Sequence, residues 1–150
     1  YALFGLADSY RGMNQQNKSV FYWNKILEID PNNKVILTRA GDAYRTSGNF
    51  EEAKKYYGKA LEIDFDVYAA IGLALICKGE GNYNEAISRL ENLIKSDPKN
   101  SRLYIDLAEC YDAMNNKVQA AKVLNDYLKF DNRNSAVRNA LEKINRKYYA

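Results

Sequence analysis

The feature that most constrains the fold of this chain is a self-similarity at a fixed interval of 33–34 residues. Gly48-Asn49-Phe50-Glu51-Glu52-Ala53 returns as Gly81-Asn82-Tyr83-Asn84-Glu85-Ala86 and, more loosely, as Asn115-Asn116-Lys117-Val118-Gln119-Ala120. Asn14-Gln15-Gln16-Asn17-Lys18-Ser19 fits the same frame upstream, and the small residues Ser19, Ala53, Ala86 and Ala120 are spaced by 34, 33 and 34. A second mark runs in phase with the first. Asp30, Asp64, Asp97 and Asp131 close each unit, and the only two prolines, Pro31 and Pro98, follow two of them. Proline cannot continue a helix, so these positions are predicted stops. A period of this length marks an array of supersecondary units, each too small to bury its apolar face alone.

Each unit reads as two helices. Asn33, Asp66, Asn100 and Asn134 stand where a following helix should start, with a side-chain oxygen suited to an orphan backbone N–H. The second helix of a unit opens at Asn49, Asn82 or Asn116, with Glu52, Glu85 or Gln119 three residues on, the spacing of a capping box. Apolar residues recur at helical intervals, as in Leu3, Leu6, Ala7 and Tyr10, or Tyr104, Leu107, Ala108 and Tyr111. Eight repeat helices and a ninth over about 135–148 are expected. The ninth carries Val137, Leu141, Ile144 and Tyr148 on one side and Arg138, Glu142, Lys143, Arg146 and Lys147 on the other. Such one-sidedness suits the end of a stack.

These residues resemble the tetratricopeptide repeat over essentially the whole chain. The second unit matches that family's pattern at Leu37, Ala40, Gly41, Tyr44, Ala53, Tyr57 and Ala60, and the fourth at Tyr104, Leu107, Ala108, Tyr111, Ala120, Leu124 and Tyr127. The first matches at Leu3, Leu6, Ala7, Tyr10, Trp23 and Pro31; the third departs furthest, with Cys77 in place of the family's Tyr. The resemblance implies an all-α fold, a right-handed α-solenoid superhelix of antiparallel helix pairs. The repeats would span about 1–33, 34–66, 67–100 and 101–134, forming one domain with the capping helix. One residue is missing between the second and third units. Phe65 there is expected to act as a hydrophobic staple before the Asp66 cap.

The resemblance also implies a function: a protein-interaction scaffold whose first helices line a concave groove for a peptide or partner protein. Carried over, the groove positions are Phe4, Asp8 and Arg11; Thr38, Arg39, Asp42 and Arg45, beside Val35; Tyr68, Ile71, Leu75 and Lys78; Arg102, Ile105, Asp106, Glu109 and Asp112; and Lys143 of the last helix, with Asn139 and Arg146 extending the row. Asp8 with Arg11 and Asp42 with Arg45 repeat an i,i+3 ion pair, which reads either as helix support or as a ladder facing a peptide backbone. Phe4, Ile71, Leu75 and Ile105 place apolar groups on the same side, where an open patch would mark a partner site. Gly5 and Gly12 match Gly72 and Gly79 in register, through drift or to leave room for a closely approaching chain. The family's carboxylate clamp for chaperone tails is not expected, because its Lys and Asn positions hold Phe4, Asp8, Arg39, Tyr68 and Gly72.

Chemistry finds little to work with. The chain has no His, so the commonest general base and metal ligand is missing. Asp106, Glu109 and Asp112 read as a solvated helix face, and Gly79-Glu80-Gly81 sits in a turn between helices, not in a phosphate loop. Cys77 and Cys110, two isolated cysteines, read as buried thiols. No enzyme activity, cofactor or metal is expected. The net charge of +3 is carried by scattered residues, which argues against nucleic acid. No apolar run reaches the ~18 residues of a membrane span. Free thiols favour the cytoplasm, with the cell envelope or periplasm as the alternative. A start at Tyr1, without Met, reads as a fragment of a longer chain or a processed protein. An uncapped first repeat makes homo-oligomerisation the rival role, and docking within a larger enzyme the third.

Overall fold

The computed structural model describes residues 16–149, with side chains over 20–146. Eight helices and no strand are found among the described residues: α1 Gln16–Ile29, α2 Lys34–Thr46, α3 Phe50–Ile63, α4 Val67–Gly79, α5 Tyr83–Ser96, α6 Ser101–Ala113, α7 Lys117–Leu128 and α8 Ser135–Tyr149. The expected helix before α1 lies outside the described residues. The chain forms two compact units, residues 1–76 and 77–150.

The turns inside the helix pairs share one chemistry. After α2 the Gly48 N–H reaches the Arg45 carbonyl at 3.0 Å and the Asn49 N–H reaches Tyr44 at 2.8 Å. Gly81 and Asn82 repeat both bonds on Lys78 and Cys77, and Asn115 and Asn116 repeat them on Asp112 and Tyr111. This is a Schellman ending, which needs one residue in the left-handed region. Gly48 and Gly81 sit there at φ 85° and 80°, and Asn115 takes the same place at φ 61°. Asn tolerates that region less well than Gly. Asn115→Gly is therefore expected to raise stability by about 0.5–1 kcal/mol. Urea midpoints at unchanged slope check this; a lower midpoint contradicts it.

Turns between pairs are closed by the predicted caps. Asn33 Oδ1 accepts from the Ile36 N–H at 3.2 Å, Asn100 from Arg102 at 3.2 Å and Asn134 from Val137 at 3.0 Å. Asp66 Oδ1 accepts twice, from Tyr68 at 2.9 Å and Ala69 at 3.2 Å. The capping-box reading holds for only one helix of three. Asn116 caps Gln119 at 3.2 Å, whereas Asn49 and Asn82 make no side-chain cap bond. The Asn82 amide instead donates to the Glu85 carboxylate at 3.2 Å.

In the first unit, α2 buries two neighbouring stripes. Ile36, Ala40 and Ala43 pack on Val20 and Trp23 of α1, while Leu37 joins Ala53, Tyr57 and Ala60 of α3 and Ala69 of α4. A helix with two apolar stripes has a partner on each side, and that is what makes the pairs stack. Tyr44 and Tyr56 stack at 5.2 Å, and both hydroxyls meet the Asn24 side chain. Phe65 departs from expectation: it is 63% exposed and does not staple the turn. The shortened turn is held by polar bonds, with the Phe65 N–H on Asp64 Oδ1 at 2.8 Å and Lys34 Nζ within 3.5 Å of the Phe65 carbonyl.

The second unit is built on Ala86, Leu90 and Leu93 of α5, Leu103, Leu107 and Ala108 of α6, Ala120 and Leu124 of α7, and Val137 and Ile144 of α8. Tyr104 and Tyr127 lie 5.1 Å apart, and their hydroxyls donate to the Pro98 and Lys99 carbonyls, tying the turn before α6 to the core. Arg138, Glu142, Lys143 and Arg146 face solvent, giving α8 the one-sided character expected of it. Cys110 is buried and Cys77 half-buried, both unpaired. Burial pushes the Cys77 thiol up and the Cys110 thiol up to about 11, where it is unreactive at neutral pH.

Candidate protein-binding site

In the first unit the predicted groove residues of α2 converge with the start of α4. Val35, Thr38, Arg39, Asp42, Asp66 and Tyr68 line a hollow of about 330 Å³. Val35 is 52% exposed and Tyr68 70% exposed, so both offer apolar surface at its rim. Arg39 lies with its guanidinium 5.7 Å from the Trp23 ring, which positions the charge over an aromatic face. Thr38 does not line the hollow as a free group. It is buried, and its hydroxyl donates to Asp66 Oδ2 at 3.0 Å. Asp66 thereby ties α2 to the first turn of α4. Only its capping role was legible from the sequence; its place in the hollow follows from the short turn that delivers it.

Asp42 and Arg45 do pair, at 3.7 Å, but they close on a third residue rather than standing as a ladder. Arg45 Nε donates to the Tyr57 hydroxyl at 3.1 Å, and that hydroxyl donates a short bond to Asp42 Oδ1. Burial, reinforced by the Asp42 carboxylate, drives the Tyr57 phenol well above its ordinary range, so it stays a neutral donor. The ring is wedged between two glycines. A Cβ on Gly41 would lie 2.7 Å from Tyr57 Cδ1, and one on Gly72 2.6 Å from Cε2. The space at Gly72, which could have admitted a guest chain, is thus occupied by the protein's own side chain. Ile71 and Leu75 further along α4 are half-buried. Phe4, Asp8 and Arg11, with Gly5 and Gly12, lie outside the described residues.

In the second unit the expected solvated face of α6 is an ion cluster with a buried centre. Asp106 is only 3% exposed. Lys78 Nζ lies 3.3 Å from Asp106 Oδ1 and also pairs closely with Glu109, while Arg102 Nε reaches Asp106 Oδ2 at 3.3 Å. Burial alone would lower the Lys78 ammonium, but the Glu109 and Asp106 carboxylates more than offset it, and its pKa is raised. Asp106 is therefore an internal counter-ion, not a groove contact. Periodicity does not show this, because it takes an i,i+4 arginine and a lysine from α4 together to let the acid be buried. Asp112 is half-buried and pairs with Lys117 across the intra-pair turn. Ile105 is half-buried; Arg102, Glu109 and Lys143 are exposed.

Paired helices repeated in one register, joined by turns of one hydrogen-bond pattern, define a helical-repeat fold among the described residues. The chain belongs to the tetratricopeptide repeat family: models of that repeat match residues 1–33, 36–67 and 79–144. It is similar to the TPR repeat-containing protein YpiA of Bacillus subtilis, 26% identical over 87% of this chain. It is also similar to anaphase-promoting complex subunit 3 of Schizosaccharomyces pombe, 25% identical over 81% of it. The chain spans 31% of the first relative and 18% of the second. Among solved structures, a tetratricopeptide repeat protein from Parabacteroides merdae superposes with a TM-score of 0.87 at 24% identity, over 98% of this chain and 58% of that one. Family and fold are in general those of protein-interaction scaffolds. No helix among the described residues is long and apolar enough to cross a membrane.

Proposed function

We infer that this chain binds a peptide or partner protein through its first helices, with the hollow between α2 and the start of α4 as the anchor site. The observation that carries this reading is a 330 Å³ recess with Tyr68 and Val35 exposed at its rim and charged groups held in place around it. Such a volume lies at the small end of ligand pockets, ~300–1,000 Å³. It suits one apolar anchor side chain of a peptide better than a whole small molecule. Arg39 and Asp42 flank the anchor and supply orientation. Glu109, Arg102 and Lys143 are the exposed charged positions in the second unit where further contacts would form. The relative from Schizosaccharomyces pombe is by name a subunit of a complex, in keeping with a binding role.

The test is selection of peptides from a displayed library against the chain, followed by fluorescence anisotropy. Tyr68→Ser and Val35→Ser are each expected to weaken binding about tenfold, the ~1.4 kcal/mol of a lost anchor contact. Met114→Ser, exposed on the second unit, should change nothing. Equal affinity for both anchor variants and the parent would remove the hollow from consideration.

A further inference from the structure

A second surface, made of other residues than the hollow on α2, runs along α7 and α8 in the second unit. A cleft of about 500 Å³ has Val118, Ala121 and Ile144 along it, with Lys117, Lys122 and Lys129 among its other lining residues. It meets, at Asn145, a neighbouring recess of about 660 Å³ that has Leu128 and Leu141 beside Arg138 and Arg146. Val118 is 74% exposed, unusual for a β-branched apolar residue on a helix with no neighbour over it.

The charge here is lopsided. The two recesses are lined by five basic residues and two acidic ones, Asp126 and Glu142. Lys117 pairs with Asp112 and Arg146 with Glu142, so the excess rests on Lys122, Lys129 and Arg138. The counter-ions inside the cleft are too few. Lys122 and Lys129 share the one carboxylate of Asp126, at 2.9 and 3.3 Å. The apolar positions follow helical spacing: 118, 121 and 128 run along α7, and 141 and 144 along α8, where the buried Ile144 floors the cleft. Two such stripes meeting at an angle make a groove into which the ridge of a third helix packs.

We propose that this α7–α8 face docks an acidic amphipathic helix of a partner protein. The partner helix lays an apolar stripe over Val118 and Ala121, above the buried Ile144, and its flanking Asp or Glu side chains take up the unbalanced charge of Lys122 and Lys129. The stretch from Val118 to Lys129 is about 16 Å long at 1.5 Å per residue, which sets the docked part of the partner at roughly three turns.

The experiment uses the full-length protein and a lactam-stapled 16-residue peptide carrying a leucine stripe flanked by Glu, read by anisotropy. The expected result is saturable binding that falls at least fivefold between 50 and 500 mM NaCl, as screening removes the charge attraction. Lys122→Glu with Lys129→Glu should weaken it more than tenfold and Val118→Ser about fivefold. All three residues are exposed, so circular dichroism should be unchanged. Tyr68→Ser should leave this binding intact, separating it from the α2–α4 reading. Four outcomes overturn the proposal: no binding of the peptide; equal binding of a version with Lys for Glu; tighter binding of a 20-nucleotide oligo-dT than of the peptide; or protection of Lys122 and Lys129 from acetylation by the full-length protein's own residues.

Discussion

Replacing Tyr57 with Ala should cost about 3–5 kcal/mol of unfolding free energy, the range for removing a fully buried aromatic ring. The ring sits at zero exposure between Gly41 and Gly72, and its hydroxyl is bonded to Asp42 and Arg45. Its loss opens a cavity that touches α2, α3 and α4 together. Against a total stability of about 5–15 kcal/mol for a domain, this threatens the first unit outright. Milder variants separate the contributions. Tyr57→Phe keeps the ring and loses the hydroxyl, for about 0.5–1.5 kcal/mol. Gly72→Ala keeps the tyrosine and inserts a methyl group into its path, for about 1–3 kcal/mol of overpacking. Combining Gly72→Ala with Tyr57→Leu should cost less than the sum of the two, because the smaller side chain vacates the space that the methyl needs. Urea unfolding of these variants and of Tyr57→Leu alone measures every cost. A Tyr57→Ala midpoint near the parent's would mean that the three helices are held together elsewhere.

The second large effect is expected at Lys78. Lys78→Ala leaves Asp106, at 3% exposure, with Arg102 as its remaining close cation. The expected loss is about 2–3 kcal/mol, less than the ~3–5 kcal/mol of a fully orphaned buried charge, because the guanidinium stays within reach. Asp106→Leu made alone removes the need for the pair, and the double variant Lys78→Ala with Asp106→Leu should be more stable than Lys78→Ala. That reversal identifies an uncompensated carboxylate as the cause. If the double variant is instead the less stable protein, the lysine acts through packing of its stem.

Much of the helical framework can be read along the chain because it is local. Asn33, Asp66, Asn100 and Asn134 cap through bonds to N–H groups two or three residues away, and any chain with those residues before an apolar helix would do the same. The Schellman turns at Gly48 and Gly81 are equally local, and Asn115 was harder to recognise only because a second residue type can adopt the left-handed conformation. Phe65 differs from the expected staple for the opposite reason. A staple needs a partner four residues into the helix, and the turn that lost a residue points the ring outward while polar bonds hold its backbone.

The site was less legible. Periodicity assigns a residue to a side of a helix but not to a degree of burial. Thr38 and Asp106 share a side with Arg39 and Glu109, yet both are buried, since each finds a partner beyond its own helix, the cap residue Asp66 for one and Lys78 for the other. No spacing rule reveals a bond between residues 28 apart in sequence. Gly72 and Gly41 are visible in the sequence as small residues, but that they bracket the Tyr57 ring follows only from the packing of three helices.

The repeat register, the caps at Asn33, Asp66, Asn100 and Asn134, and the lack of histidine all belong to the sequence alone, because they depend on residue identity and on contacts within a few positions. The wedging of Tyr57 between two glycines, the burial of Asp106 among cations, the recess beside Tyr68 and the lysine-lined cleft along α7 and α8 were decided by tertiary packing. Each depends on which helices meet and how closely, and that distance is set by the volumes of side chains far apart in the chain.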